Sequence, residues 1–209
     1  MNHQIGKLGA VVTGVAVLTF AVSMIIGSLF TSCLSSMFIA LGFIPFVCGL
    51  SAVNPGQDRK AVGLTAIGFA AVYAVIILLV YFAEITTVRM NPSLSAETLS
   101  IISYGRMGSL FFNYDLLGYG LMGLSTFFIA FTLRPQDKGD KALRALLMIH
   151  GVFFVTCLIM PMLPVFTENM AGGDLMGTLI LEFWCAYFIP ICILGYRYFK
   201  KGAREAKAA

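Results

Sequence analysis

From Leu8 to Gln57 the chain carries no Asp, Glu, Lys or Arg. A helix crosses a ~30 Å hydrocarbon core in about 20 residues at ~1.5 Å each, so this one stretch is long enough for two crossings and a turn. Composition agrees: 59% of the 209 residues are hydrophobic, 11% are charged and the mean hydropathy is +0.90. Soluble domains carry about 25% charge, which excludes a water-soluble globule.

The remaining charges divide the chain into further apolar runs. The expected fold is all-α and polytopic: one domain, residues 1–209, of six transmembrane helices at about 8–30, 35–53, 61–83, 107–133, 143–164 and 175–198. The first hairpin turns at the Thr31–Ser36 stretch (TSCLSS), and Asn54-Pro55-Gly56 supplies the second turn. MNHQIGK resembles a weakly basic signal n-region, but the apolar run after it is too long for a signal sequence, so a retained first helix is expected. Pro45 falls inside helix 2 and Pro190 inside helix 6. Ala66, Ala70 and Ala74 give helix 3 a small-residue face for close packing. Between helices 3 and 4, Asn91-Pro92 and Glu97 read as the start of an interfacial helix over 92–104. Pro161 and Pro164 end helix 5, and a loop with Glu168, Gly172, Gly173 and Asp174 leads to helix 6.

Orientation follows from the basic residues. Of 14 Lys and Arg, all but Arg89 and Arg106 fall on the side that holds both termini. Cytoplasmic loops concentrate Lys and Arg, so both ends are expected in the cytoplasm of a bacterial-type inner membrane. The net charge of +4 is then a topology signal beside anionic lipid and not a nucleic-acid footprint. The bilayer is the expected partner, with oligomerisation left open.

Charge inside the apolar runs marks candidate chemistry. Asp115 is the only charge between Arg106 and Arg134, and Glu182 lies within helix 6. A carboxylate at the centre of a lipid-exposed helix costs at least ~2.5–3.5 kcal/mol, so such residues face protein or water. Counted from the outer helix ends at ~1.5 Å per residue, both acids fall ~10 Å deep. Arg106 and Glu84 begin and end helices on that side, and Tyr114 and Tyr119 could add hydroxyls. His150 sits ~10 Å from the other face, as a packing residue or a member of a proton relay.

The function expected from this arrangement is binding or transport of a small molecule through an outward-opening polar cavity between helices 4 and 6. The alternatives are a membrane-embedded enzyme using Asp115 and Glu182 as an acid/base pair, and a non-catalytic accessory protein. No cofactor is implied. The five cysteines, Cys33, Cys48, Cys157, Cys185 and Cys192, lack ligand spacing, and with only two histidines no metal site is expected. Gly118-x-Gly120-x-x-Gly123 lies inside a spanning helix, where it serves close packing and not dinucleotide binding.

Two resemblances are limited in extent. Tyr114-Asp115 resembles the Tyr-Asp pair of intramembrane aspartyl proteases. Their second aspartate sits in Gly-x-Gly-Asp, whereas Ala171-Gly172-Gly173-Asp174 departs at the first glycine and falls in a loop. In size and topology the chain is also similar to the substrate-binding components of vitamin importers, with no shared motif.

Overall fold

A computed structural model of the chain describes residues 1–54, 56–163 and 173–208. Pro55, Pro164, Glu168, Ala171 and Gly172 lie outside the described residues, as does the side chain of Asp174, so that loop and the protease-like stretch receive no structural account. The described residues form helices and no strand: α1 (Asn2–Ile25), α2 (Leu29–Ala52), α3 (Lys60–Ala83), α4 (Ala96–Ile102), α5 (Leu110–Ala130), α6 (Lys138–His150), α7 (Val152–Ile159) and α8 (Gly173–Ala208). Five stretches are long and apolar enough to cross a membrane: Asn2–Ile25, Leu29–Ala52, Gln57–Val88, Lys138–Met162 and Gly177–Arg204. α5 is not among them. It is 21 residues long, carries Asn113 and Asp115, and buries Asp115, Ser125, Thr126 and three glycines.

The helices close a ring in the order α1, α2, α3, α5, α6–α7, α8 and back to α1. Glycines set the α1–α2 distance: a Cβ on Gly9 would stand 2.8 Å from the Gly42 carbonyl oxygen and against the Phe46 backbone. Phe46 meets Phe199 of α8 edge-on at 6.1 Å, and Phe43 meets Tyr73 of α3 at 5.6 Å. The Ala66, Ala70 and Ala74 face of α3 is buried, and the Ser125 hydroxyl of α5 donates to the Ala66 carbonyl at 2.8 Å. Leu8, Val15, Leu79 and Phe183 are exposed, as lipid-facing residues are.

Several boundaries differ from expectation, each for a local reason. The first turn falls at Ile26–Ser28, not at Thr31–Ser36. Gly27 takes φ +69°, and the Ser28 and Gly27 amides donate back to Ser23 and Met24 at 2.9 and 3.3 Å, a Schellman closure. The serines of TSCLSS instead continue α2, because Ser32 and Ser35 donate to the Leu29 and Thr31 carbonyls at 2.8 and 2.6 Å and so need no water. α5 begins at Leu110, after Gly108 (φ +80°), where the Ser109 hydroxyl accepts from the Phe112 amide at 3.0 Å. α6 begins at Lys138, earlier than residue 143, because Asp137 caps it by accepting from the Asp140 amide at 2.9 Å. The expected fifth helix is also divided at Gly151. There the ladder tightens to i→i+3 bonds, Gly151 to Met148 and Phe154 to Gly151, both 3.1 Å, beside Phe127 of α5. The interfacial helix is shorter, Ala96–Ile102, capped by Ser95.

α8 continues to Ala208, past its expected end near 198. Its Lys201 meets Asp137 at 2.8 Å and Asp140 at 3.2 Å, tying α8 to the start of α6. The Lys201 hydrogen bond holds the Asp137 carboxyl below the usual carboxylate range. A carboxyl lowered by folding contributes stability above its unfolded pKa and loses it as pH falls through the folded pKa, so this tie opens only in acid.

The α1–α2 contact yields a packing prediction. Gly9→Ala should destabilise the detergent-solubilised protein by about 1–3 kcal/mol, through overpacking against backbone that cannot retreat. Gly68→Ala, whose Cβ would meet nothing within 4 Å, should leave the melting temperature unchanged or slightly raised. Equal effects at the two glycines would disprove the close approach.

Candidate functional site

Asp115 is 5% exposed on α5, and its Oδ1 has no hydrogen-bond partner among the described residues. Its position follows from helical spacing, because Asp115, Gly118 and Met122 share the buried face of α5 while Tyr114 falls on the outer one. The Tyr81 hydroxyl of α3 faces the Asp115 carboxyl. Tyr104 crosses the ring of Tyr81 at 4.7 Å from the segment after α4. One turn further along α5, Tyr119 lies edge-on to Tyr73 at 5.6 Å and to Trp184 of α8 at 5.2 Å. The hydroxyls of Tyr119, Tyr73 and Ser36 are buried within hydrogen-bonding reach of one another, and Tyr81 also reaches Tyr119, although Tyr119, Tyr73 and Ser36 have no hydrogen bond of good geometry. Asp115 Oδ1 and these three hydroxyls therefore lie between α2, α3 and α5 without a well-aligned hydrogen bond.

Glu84 lies on the same side of the bundle, close enough to act on Cys33 and Tyr104. It is 5% exposed and opens a π-helical turn, Glu84–Val88, that continues α3. Its Oε2 accepts the Tyr104 amide at 2.7 Å, and its Oε1 accepts the Ser103 hydroxyl at 3.4 Å. The Gly105 amide also donates to this carboxylate. A carboxylate taking several donors from one turn is a latch, and this one holds the segment that carries Tyr104 over the Asp115 side of the bundle. Arg106, in the same segment, donates to the Ala96 carbonyl at 2.9 Å, which ties α4 to it.

The other candidates separate from Asp115. Tyr114 is 44% exposed and lines an apolar groove with Ile76, Leu79 and Phe111. Glu182 is partly exposed, its Oε1 has no partner among the described residues, and it acts on Cys185 of its own helix. Neither Glu182 nor Arg106 is among the groups acting on Asp115. α5 and α8 touch through Tyr119 and Trp184, but neither acid acts on the other.

His150 is fully buried and satisfied at both nitrogens. The Trp184 indole donates to Nε2 at 3.0 Å, so the proton resides on Nδ1, which donates to the Thr126 hydroxyl at 2.8 Å. Thr126 in turn donates to the Gly123 carbonyl at 2.8 Å. Tyr187 stacks on the imidazole at 5.9 Å and donates to the Leu146 carbonyl at 2.6 Å. The histidine joins α5, α6 and α8, and this geometry is that of a packing hub. No group of three or more His, Cys, Asp or Glu is placed to hold a metal ion among the described residues.

The residues missed by sequence reasoning are Tyr81, Tyr104, Tyr73 and Ser36. The first had a signal: Tyr73, Ile77 and Tyr81 continue the Ala66–Ala70–Ala74 face and stop one turn before Glu84.

The latch gives a local prediction. Glu84→Ala should raise amide hydrogen exchange at Tyr104 by roughly 10–100-fold, the value of a charged hydrogen bond, and leave the exchange of α5 unchanged. Unaltered exchange at Tyr104 would show that the segment is held by something else. No protein-family model matches the chain, and no match was found among curated proteins or solved structures.

Proposed function

We propose that the chain is a six-crossing inner-membrane protein with both termini in the cytoplasm, and that it binds or transports a small molecule. The site is the polar chamber around Asp115, between α2, α3 and α5, rather than a cleft between α5 and α8. The observation that carries this reading is Asp115 Oδ1: the oxygen of a 5%-exposed carboxylate, without a hydrogen-bond partner among the described residues, beside three hydroxyls that also lack a well-aligned hydrogen bond. Buried polar groups are nearly always paired, and in hydrocarbon an unpaired one costs several kcal/mol. An accessory protein that used its acids only to join helices would spend them as Glu84 is spent, on donors. An acid/base enzyme would need Asp115 and Glu182 within reach of one substrate, and neither acts on the other.

α5 supplies the sixth crossing in this reading. Its polar residues face α3, α6 and α7, while Leu110 and Phe131 at its two ends remain exposed. The chamber then lies toward the side of Arg89 and Arg106, the outer face.

Two measurements test the proposal. In a cysteine-free background, a membrane-impermeant thiol reagent applied from outside should modify Ser93→Cys and not Gln136→Cys; the reverse pattern would invert the topology. A panel of small molecules should contain compounds that raise the melting temperature of the purified wild type and of Glu182→Gln, but not of Asp115→Asn. Equal loss in both variants would restore the paired-acid site, and protection that persists in Asp115→Asn would move the site elsewhere.

A further inference from the structure

We infer that the occupant of the Asp115 chamber is a small monovalent cation, an alkali ion or a primary ammonium; this rests on the reading of the chamber as the binding site. The argument begins with what surrounds the carboxylate. Among the described residues the ionisable groups coupled to it are Cys33 of α2, Tyr73 and Tyr81 of α3, Tyr104, Tyr119 and Cys157 of α7, with Glu84 acting on Cys33 and Tyr104 beside it. Every one of these is neutral or negative; no Lys, Arg or His acts on Asp115. An ionised carboxylate in a low-dielectric interior requires a positive partner, and no described residue acts on Asp115 as one. An anionic ligand would meet hydroxyl donors but also the Asp115 carboxylate, with no positive group among the described residues to offset the repulsion.

The donor set points the same way. A carboxylate oxygen with the hydroxyls of Tyr119, Tyr73 and Ser36 forms an all-oxygen environment, the preference of hard cations. Tyr73 and Ser36 are each fully buried, so these oxygens are held inside the bundle and not at its surface. The Tyr81 hydroxyl reaches the carboxylate, and Tyr104 and Tyr119 act on it from nearby; tyrosine rings can attract an ammonium. Packing limits the size: a Cβ on Gly118, one turn from Asp115, would already stand 3.0 Å from Ile77. Large organic cations are therefore disfavoured.

The sole tryptophan provides a reporter, since Trp184 packs 5.2 Å from Tyr119. Sodium, potassium and methylammonium chloride are titrated into the purified full chain at constant ionic strength, with N-methylglucamine as the balancing cation, while Trp184 fluorescence and melting temperature are read. A saturable response to at least one of the three is expected, and comparison of the arms separates an alkali ion from an ammonium. Asp115→Asn should raise the half-saturation concentration roughly 100-fold or abolish the response, and Tyr119→Phe should raise it about 10-fold. If Asp115→Asn does not fold, Tyr119→Phe and Ser36→Ala carry the comparison. Absence of a response in both readouts would overturn the cation assignment, as would a response unchanged in all of these variants. A neutral or anionic compound that protects the wild type but not Asp115→Asn, with no cation effect, would preserve the binding site and defeat the cation. Protection by any ligand that is independent of Asp115 would defeat both.

Discussion

In hydrocarbon a polar atom that finds no partner inside the protein finds none at all, and this constraint orders the structure. The hydroxyls along the apolar helices obey it by turning inward on their own backbone: Thr19 on Val15, Ser23 on Thr19, Ser35 on Thr31 and Thr132 on Ile129. Helix ends obey it through side chains from elsewhere. Arg59 donates to the Thr132 and Leu133 carbonyls beyond α5, and Tyr198 of α8 donates to Asn54 after α2, which in turn donates to Leu50. His150 obeys it with both ring nitrogens. Against this background Asp115 Oδ1 and its neighbouring hydroxyls stand out, as does the buried hydroxyl of Thr13 on α1.

The ring arrangement explains how α5 can be so polar. A helix carrying Asn113 and Asp115 would be a poor crossing alone, but α3, α6 and α7 cover its polar face. Its glycines bring those neighbours close: a Cβ on Gly123 would stand 3.1 Å from the His150 carbonyl and the Phe154 amide, and one on Gly120 would meet Cys157. Association of helices in lipid relies on such packing and on interhelical hydrogen bonds, because apolar burial drives little there. Ser125 to Ala66 and Thr126 to His150 supply the bonds at the same levels as the small residues. The glycines, Ser125 and Thr126 of α5 are thus what hold it in the ring.

Much of the fold was legible in the sequence because uncharged length has few other interpretations. The run from Leu8 to Gln57 had to make two helices, and Pro45 and Pro190 lie inside helices as expected. The first turn was misplaced because serine and threonine carry two meanings. In water they favour turns, whereas within an apolar helix they bond to the preceding carbonyls, and only Gly27 could take the left-handed conformation that the turn requires. The candidate site was legible in part. Asp115 stood out by charge, but its pairing with Glu182 was inferred from depth, and a residue count along a helix gives depth without the order of helices around a bundle. Glu84 was visible as a charge at a helix end. Its use on the Tyr104 amide was not, because that contact depends on where the 103–109 segment folds back.

That fold-back relates Glu84 and Asp115 to one another. Glu84 is buried but spent on donors from Ser103 to Gly105, so its charge is compensated by the backbone it organises. Asp115 lies beneath the tyrosine which that backbone carries, and it receives no comparable set of donors. One carboxylate therefore fixes the cover and the other remains available under it. The division rests on helix register: Tyr81 is one turn before Glu84 on the same helix, so the residue that faces Asp115 and the residue that holds Tyr104 move as one rigid unit. The Glu84 bond to the Tyr104 amide and the Tyr81–Tyr104 ring contact therefore hold the 103–109 segment to the end of α3 at two adjacent points.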